Sequence, residues 1–224
     1  MNDLSKINYF PHTLTGNHGQ AAFGDCKQKN DFLFGTPLNL HYLCRLKFKF
    51  MDAREKKQLL LDSRYLRMTQ IWAENSYCRR RQVGALLVKD KMIISDGYNG
   101  TPAGFENVCE EEGEDRSKPY VLHAEANAIT KVARSNNSSD GATLYVTTSP
   151  CMECSKLIIQ AGIRRVVFGE YYRMHDGVDL LCRAGIEIIH LWHHDGEYEP
   201  IEITTDNSES HYQVVAKYIA AHND

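Results

Sequence analysis

Apolar positions along this chain switch several times between helical and alternating periods. From about Glu55 to Glu74, Leu59, Leu60, Tyr65, Leu66, Met68, Ile71 and Trp72 recur at helical spacing and predict a first helix. Val83 to Val88, the turn Lys89-Asp90-Lys91 and Met92 to Ser95 then read as strand, tight turn and strand. A glycine loop follows from Gly97 to Gly104, and the acidic, polar residues 105–119 are expected at the surface. A helix is expected from His123 to about Arg134, ended by the polar run Ser135 to Gly141. Ala142 to Thr147 is strand-like, and Pro150 opens a helix that Gly162 closes. Arg165 to Gly169 and Ile186 to Leu191 are further strands, separated by a helix around Asp179 to Ala184. Strands that alternate with helices predict an α/β sheet covered on both faces. Ser208 to His222 has the composition of a terminal helix.

Residues 1–50 show no sustained period. They carry six Lys/Arg against three Asp/Glu, whereas residues 51–224 carry twenty against twenty-six. Helix formers begin at Met51-Asp52-Ala53-Arg54-Glu55. The expectation is an extension over 1–50, disordered or not native, with the natural start at Met51. A domain then spans 51–195 and a tail 196–224. With 224 residues, 42% hydrophobic and 25% charged, the composition is that of an ordinary globular protein. A net charge of −3 offers no strong basic field, so a nucleic-acid partner is not expected. No apolar run reaches the roughly 18–20 residues of a membrane helix, and the N-terminus lacks signal-peptide order. A cytoplasmic location is the default, with the cysteines read as thiols.

The candidate chemistry lies in His123-Ala124-Glu125 and Pro150-Cys151-Met152-Glu153-Cys154, with 27 residues between His123 and Cys151. One imidazole and two thiolates fill three corners of a zinc tetrahedron and leave the fourth open for water, as catalytic zinc requires. Zinc lowers the pKa of such a water. Glu125, not a ligand, can carry the proton. Cys151 and Cys154 fall on the first turn of a helix, where the dipole favours thiolate. Each half alone is weak, since a lone Cys-x-x-Cys is often structural or redox. Together, in this order, they match the signature of zinc-dependent base deamination.

The same residues resemble the cytidine deaminase-like superfamily. Gly97-Tyr-Asn-Gly-Thr-Pro-Ala-Gly104 narrows the resemblance to deoxycytidylate (dCMP) deaminases and the related late-competence proteins of bacteria. Gln82-Val-Gly-Ala85, His123 to Ile129 and Leu157 to Ile163 support it, over roughly residues 60–192. It implies a three-layer α/β/α sandwich with a central five-stranded mixed sheet, often in a hexamer. It also implies hydrolysis of dCMP to dUMP and ammonia, which supplies thymidylate synthesis. By match to motif, Asn99 and Tyr172 would contact the nucleotide, with Ala124 and Ser149 adding backbone contacts. Arg134 would contact an allosteric nucleotide across subunits. Many members respond to dCTP with Mg2+ and to dTTP.

Plainer readings stand beside these. Asn99 suits a turn, Tyr172 suits core packing, and Arg134 suits a helix C-terminus. Arg79-Arg80-Arg81 would suit phosphates but also a solvated turn, and His193-His194 reads as a surface pair. Some phage relatives hold a second, structural zinc with a Cys at a position like Cys78. The histidines that complete that site lie in an insertion this chain lacks; His175 or an acidic side chain could contribute instead, and two buried thiols are the expectation for Cys78 and Cys109. The alternatives in function are a tRNA adenosine deaminase, a free-nucleoside deaminase, a competence-related protein of the same fold, or a structural zinc module with a fourth protein ligand. A riboflavin-pathway deaminase fits poorly, because its second-motif cysteines are usually spaced further apart than Cys151 and Cys154.

Overall fold

A computed structural model describes residues 51–114, 116–194 and 197–208. The expected extension over 1–50, and the terminal helix beyond Ser208, lie outside these residues. Helix α1 spans Ala53–Ala73 and starts at a capping box, in which Asp52 accepts from the Arg54 and Glu55 amides and Glu55 accepts from the Asp52 amide. Strands β1 (Gly84–Lys89) and β2 (Met92–Tyr98) form an antiparallel hairpin. Its two turn residues, Asp90 and Lys91, have φ of 51° and 64°, the left-handed conformation that a tight hairpin turn needs at both positions. There follow α2 (Ala124–Ala133), β3 (Thr143–Thr148), α3 (Met152–Gln160), β4 (Arg165–Glu170), α4 (Asp176–Arg183), β5 (Glu187–His194) and β6 (Glu197–Ile203).

The strands form one mixed sheet in the order β2-β1-β3-β4-β5-β6. The β3, β4 and β5 strands run parallel, and the β1–β2, β1–β3 and β5–β6 pairs are antiparallel. The sheet therefore has six strands, where five were expected. The sixth lies in the stretch taken as a tail. It is an edge strand and carries Pro200, whose missing N–H a sheet edge tolerates.

Side chains alternate across the sheet. Leu86, Val88, Tyr145 and Val167 pack with Leu59 and Leu66 on the α1 face. Ala85, Leu87, Leu144, Val146, Val166 and Phe168 form the core under α2, α3 and α4, with Ala128, Ile158 and Leu181. The three-layer arrangement is thus as expected. Helix α1 turns a different side inward than its apolar residues suggest. It buries Leu59, Asp62, Leu66, Thr69 and Ala73, while Leu60, Met68, Ile71 and Trp72 stay exposed.

Two expectations for the loops are corrected. Cys78 and Cys109 are neither free thiols nor ligands of a second zinc, because they form a disulfide. Residues 105–119 are not all surface, because Cys109 and Glu110 are buried. Glu110 accepts from the Arg79 and Arg80 amides at 2.8 and 3.1 Å, which places the second loop against the first. Among the described residues, no helix is long and apolar enough to cross a membrane.

Candidate metal centre

Two helix starts meet at the site. His123 is the N-cap of α2 and Cys151 the N-cap of α3, both in extended backbone (φ −75° and −76°). An N-cap residue normally turns a side-chain oxygen onto the first free amides of its helix. Neither His123 nor Cys151 makes such a bond. The His123 Nδ1 instead lies 3.4 Å from the Sγ of Cys151 and 3.4 Å from that of Cys154. All three ligand atoms lie within 4.8 Å of one another. Around a tetrahedral zinc with its usual bond lengths, a nitrogen and a sulfur ligand sit about 3.6 Å apart. The donor set therefore fits zinc in identity and in spacing. It is the one such cluster among the described residues.

The protonation of these groups fits a site made to exchange protons for a metal. Cys151 is pulled down to about 3, first by the hydrogen bond from Cys154 and then by His123, against the effect of burial. Cys154 moves up, because it keeps the proton it donates to the Cys151 thiolate and burial disfavours a second charge. His123 is raised, chiefly by its hydrogen bond with Cys151. A metal that binds the pair as thiolates displaces these protons. Glu125 is buried, and burial pushes its carboxyl up to about 7. A group that titrates near neutral pH can both take and return a proton.

The cluster opens into a cavity of about 580 Å3. His123, Ala124, Glu125, Ser149, Cys151, Asn99 and Tyr172 line it, so every sequence-predicted site residue but two is brought together there. Cys154, one exception, is buried behind the wall and reaches the centre through its sulfur. Arg134, the other, is the exposed C-cap of α2 and is not among the lining residues. The Tyr172 amide donates to Ser149 Oγ at 2.8 Å, which ties the two walls. Asn99 is partly committed to the backbone. Its Oδ1 accepts from the Val83 amide and its Nδ2 donates to the Arg81 carbonyl, both at 2.8 Å. An amide side chain has two donor hydrogens and two acceptor lone pairs, so these two bonds leave one of each uncommitted.

Four cations also line the cavity: Arg80, Arg81, Lys118 and Arg173. Arg81 is paired with Glu170, and Arg173 lies over the Tyr172 ring at 5.3 Å. The sequence reading weighed the Arg79 to Arg81 run but missed Lys118 and Arg173. Lys118 belongs to the acidic loop, and the Cys78–Cys109 link, the Glu110 bonds to the Arg79 and Arg80 amides, and the bond from its own amide to the Cys109 carbonyl bring it here.

Residues 60–170 match the family described as the cytidine and deoxycytidylate deaminase zinc-binding region. The chain is 39% identical over 128 residues to ComE operon protein 2 of Bacillus subtilis, which covers 55% of this chain and 67% of that protein. It is 34% identical over 171 residues to the deoxycytidylate deaminase of Enterobacteria phage T4, which covers 58% of this chain and 89% of that one. The chain belongs to the cytidine and deoxycytidylate deaminase family. Among solved structures it is similar to the dCMP deaminase of cyanophage S-TIM5 in complex with dCMP and dUMP. That match has a TM-score of 0.55 and 42% identity, over 62% of this chain and 97% of that one. The match to a zinc-binding region agrees with the donor set that His123, Cys151 and Cys154 present.

Proposed function

We propose that this deaminase hydrolyses dCMP to dUMP and ammonia. The observation that carries the reading is the composition of one cavity. Its floor holds a zinc-type ligand triangle beside a buried carboxyl group, and its walls hold four cations. The floor suits hydrolysis of an exocyclic amine, and the cations suit a substrate that carries a phosphate. The T4 relative and the cyanophage structure, both dCMP deaminases by description, support the same substrate.

A zinc ion held by His123, Cys151 and Cys154 supplies Lewis-acid activation of water near neutral pH. Glu125 accepts a proton from the attacking water and delivers it to the pyrimidine ring nitrogen. It then helps protonate the departing amine, so that water and dCMP leave as dUMP and ammonia. Its burial keeps it selective for this path, because bulk water does not reach it freely. Tyr172 and Asn99 form the wall against which the nucleotide rests, and Ala124 and Ser149 offer backbone contacts. Arg80, Arg81, Lys118 and Arg173 receive the phosphate.

The reading extends to regulation and assembly. Arg134 would meet an effector nucleotide, dCTP with Mg2+ or dTTP, across a subunit contact in a homo-oligomer. Both follow from the family resemblance, and the location proposed is the cytoplasm. The test is ammonia release from dCMP, deoxycytidine and cytidine in parallel, with and without dCTP and Mg2+. Turnover of dCMP should exceed that of the nucleosides, and Glu125→Ala should reduce it by at least about 100-fold while zinc stays bound. No turnover of any of the three by zinc-loaded protein would sink the proposal.

A further inference from the structure

Two glycines press on the two ligand-bearing turns, one on each. Gly177, the second residue of α4, lies against the loop that enters α3. A Cβ there would sit 2.3 Å from the Pro150 carbonyl oxygen and 2.7 and 2.9 Å from the carbonyl carbon and oxygen of Cys151. Gly97, in β2, lies against the first turn of α2. A Cβ there would sit 2.1 Å from the Ala124 oxygen and 2.7 Å from the Ala128 nitrogen. In both places the obstacle is backbone, which cannot rotate away as a side chain would.

Neither position needs glycine for its backbone angles, because the positive-φ glycines lie elsewhere. Local preference argues against glycine at both, since alanine is the better helix former at 177 and a strand interior is weakened at 97. What the glycines permit is close approach. We propose that Gly97 and Gly177 are positioning residues for the metal centre, holding the His123–Glu125 turn and the Pro150–Cys151 turn at the spacing the ligand triangle requires.

Non-bonded atoms settle at roughly 3.5 Å, so a methyl group at either position displaces its turn by about 1 Å. Metal–ligand distances tolerate only about 0.2 Å. A misplacement of about 1 Å at a reacting centre costs on the order of 100-fold in rate. The inference rests on the zinc reading of His123, Cys151 and Cys154.

The experiment compares the full chain with Gly177→Ala, Gly97→Ala and Leu181→Ala. Leu181 is fully buried on α4 in the shared core and carries no ligand, so it controls for lost packing. Three quantities are read: zinc affinity by competition with a chromogenic chelator, the thiolate absorption of the cobalt-substituted protein, and the melting temperature without metal. The two glycine variants should lose about 10–100-fold in zinc affinity, the range for residues that orient ligands, and should shift the cobalt spectrum. Leu181→Ala should melt lower yet keep its zinc affinity within about twofold, a change well below that ligand-orienting range. Should Gly177→Ala not fold without metal, Gly97→Ala carries the same comparison at the His123 turn. Unchanged affinity and spectrum in the glycine variants would overturn the inference, as would an equal loss in Leu181→Ala. A parent protein that binds no zinc through these three ligands would instead overturn the reading beneath it.

Discussion

Asp62 is a polar side chain in the middle of the buried face of α1, only 3% exposed, and four hydrogen bonds converge on it. Arg165 donates to it through Nη1 at 3.0 Å and Nη2 at 2.8 Å, Tyr145 through its hydroxyl at 2.7 Å, and Gln58 at 2.8 Å. Asp62→Ala removes all four. The buried Tyr145 hydroxyl loses its acceptor, which costs about 1–3 kcal/mol. Arg165 loses its two-pronged partner, and breaking a buried pair costs about 3–5 kcal/mol. These do not add, because Arg165 keeps Glu187 at 2.7 Å and is 15% exposed. The expected total is about 3–5 kcal/mol, at the level of the ion pair alone. Urea unfolding of the zinc-loaded protein measures it, as a shift in midpoint at constant slope. The network lies on the α1 face, away from α2 and α3, so dCMP turnover per folded molecule should not change. A loss below about 1.5 kcal/mol, the worth of one ordinary hydrogen bond, would refute the reasoning. So would a fall in turnover by the folded fraction. Replacing Asp62 and Arg165 together by apolar residues should recover most of the loss.

Reduction of Cys78–Cys109, or Cys109→Ser, opens a link between residues 31 apart. Loop-closure entropy puts its worth at about 3–4 kcal/mol. Thermal unfolding with and without a thiol reductant should differ accordingly, by about 7–15 °C for a domain of this size. Burial alone would raise the Glu110 carboxyl, but the Arg80 and Arg79 amides and the Arg79 charge hold it below its ordinary value. Its contribution to stability is therefore present above its unfolded value, about 4.3, and is lost as pH falls through the lower folded value. Acid unfolding curves should show that Glu110→Gln removes this part of the acid limb. Tyr145 is raised by burial first and then by Asp62. Stability should accordingly fall as pH climbs above about 10, by up to about 1.4 kcal/mol per pH unit from this group, and Tyr145→Phe should flatten that limb.

The chemistry was legible in the sequence because its residues are close in the chain. His123 and Glu125 are two apart, Cys151 and Cys154 three apart, and each pair sits at the start of one helix. Residues that reach the site only through long-range contact were not legible. Lys118 arrives by a disulfide between loops, and the role of Gly177 depends on what α4 happens to touch. The orientation of α1 failed for the same reason. Leu60, Met68, Ile71 and Trp72 look like a core face, but the buried side is set by Asp62 and its partner Arg165, 103 residues away. Strand β6 escaped notice because acidic residues and Pro200 break the apolar alternation that announces a strand. Only its pairing with β5, from Ile188 with Ile203 to His194 with Glu197, reveals it.

The disulfide and the metal ligands follow one another along the chain without interleaving. Cys78 and Cys109 close one loop, and His123 with Cys151 closes the next. The exposed stretch from Glu112 to Glu114 lies outside both. A protease that cut there would leave α1, the hairpin and the disulfide on one fragment, and every zinc ligand with Glu125 on the other. The seam between them is the pairing of β1 with β3, from Ala85 with Val146 to Val88 with Thr143, together with contacts such as Lys131 to Asp96 and Asn127 to the Tyr98 carbonyl. The fold is in that sense already divided for fragment complementation. One half is a covalently closed wall, the other carries the complete ligand set, and a shared sheet rejoins them.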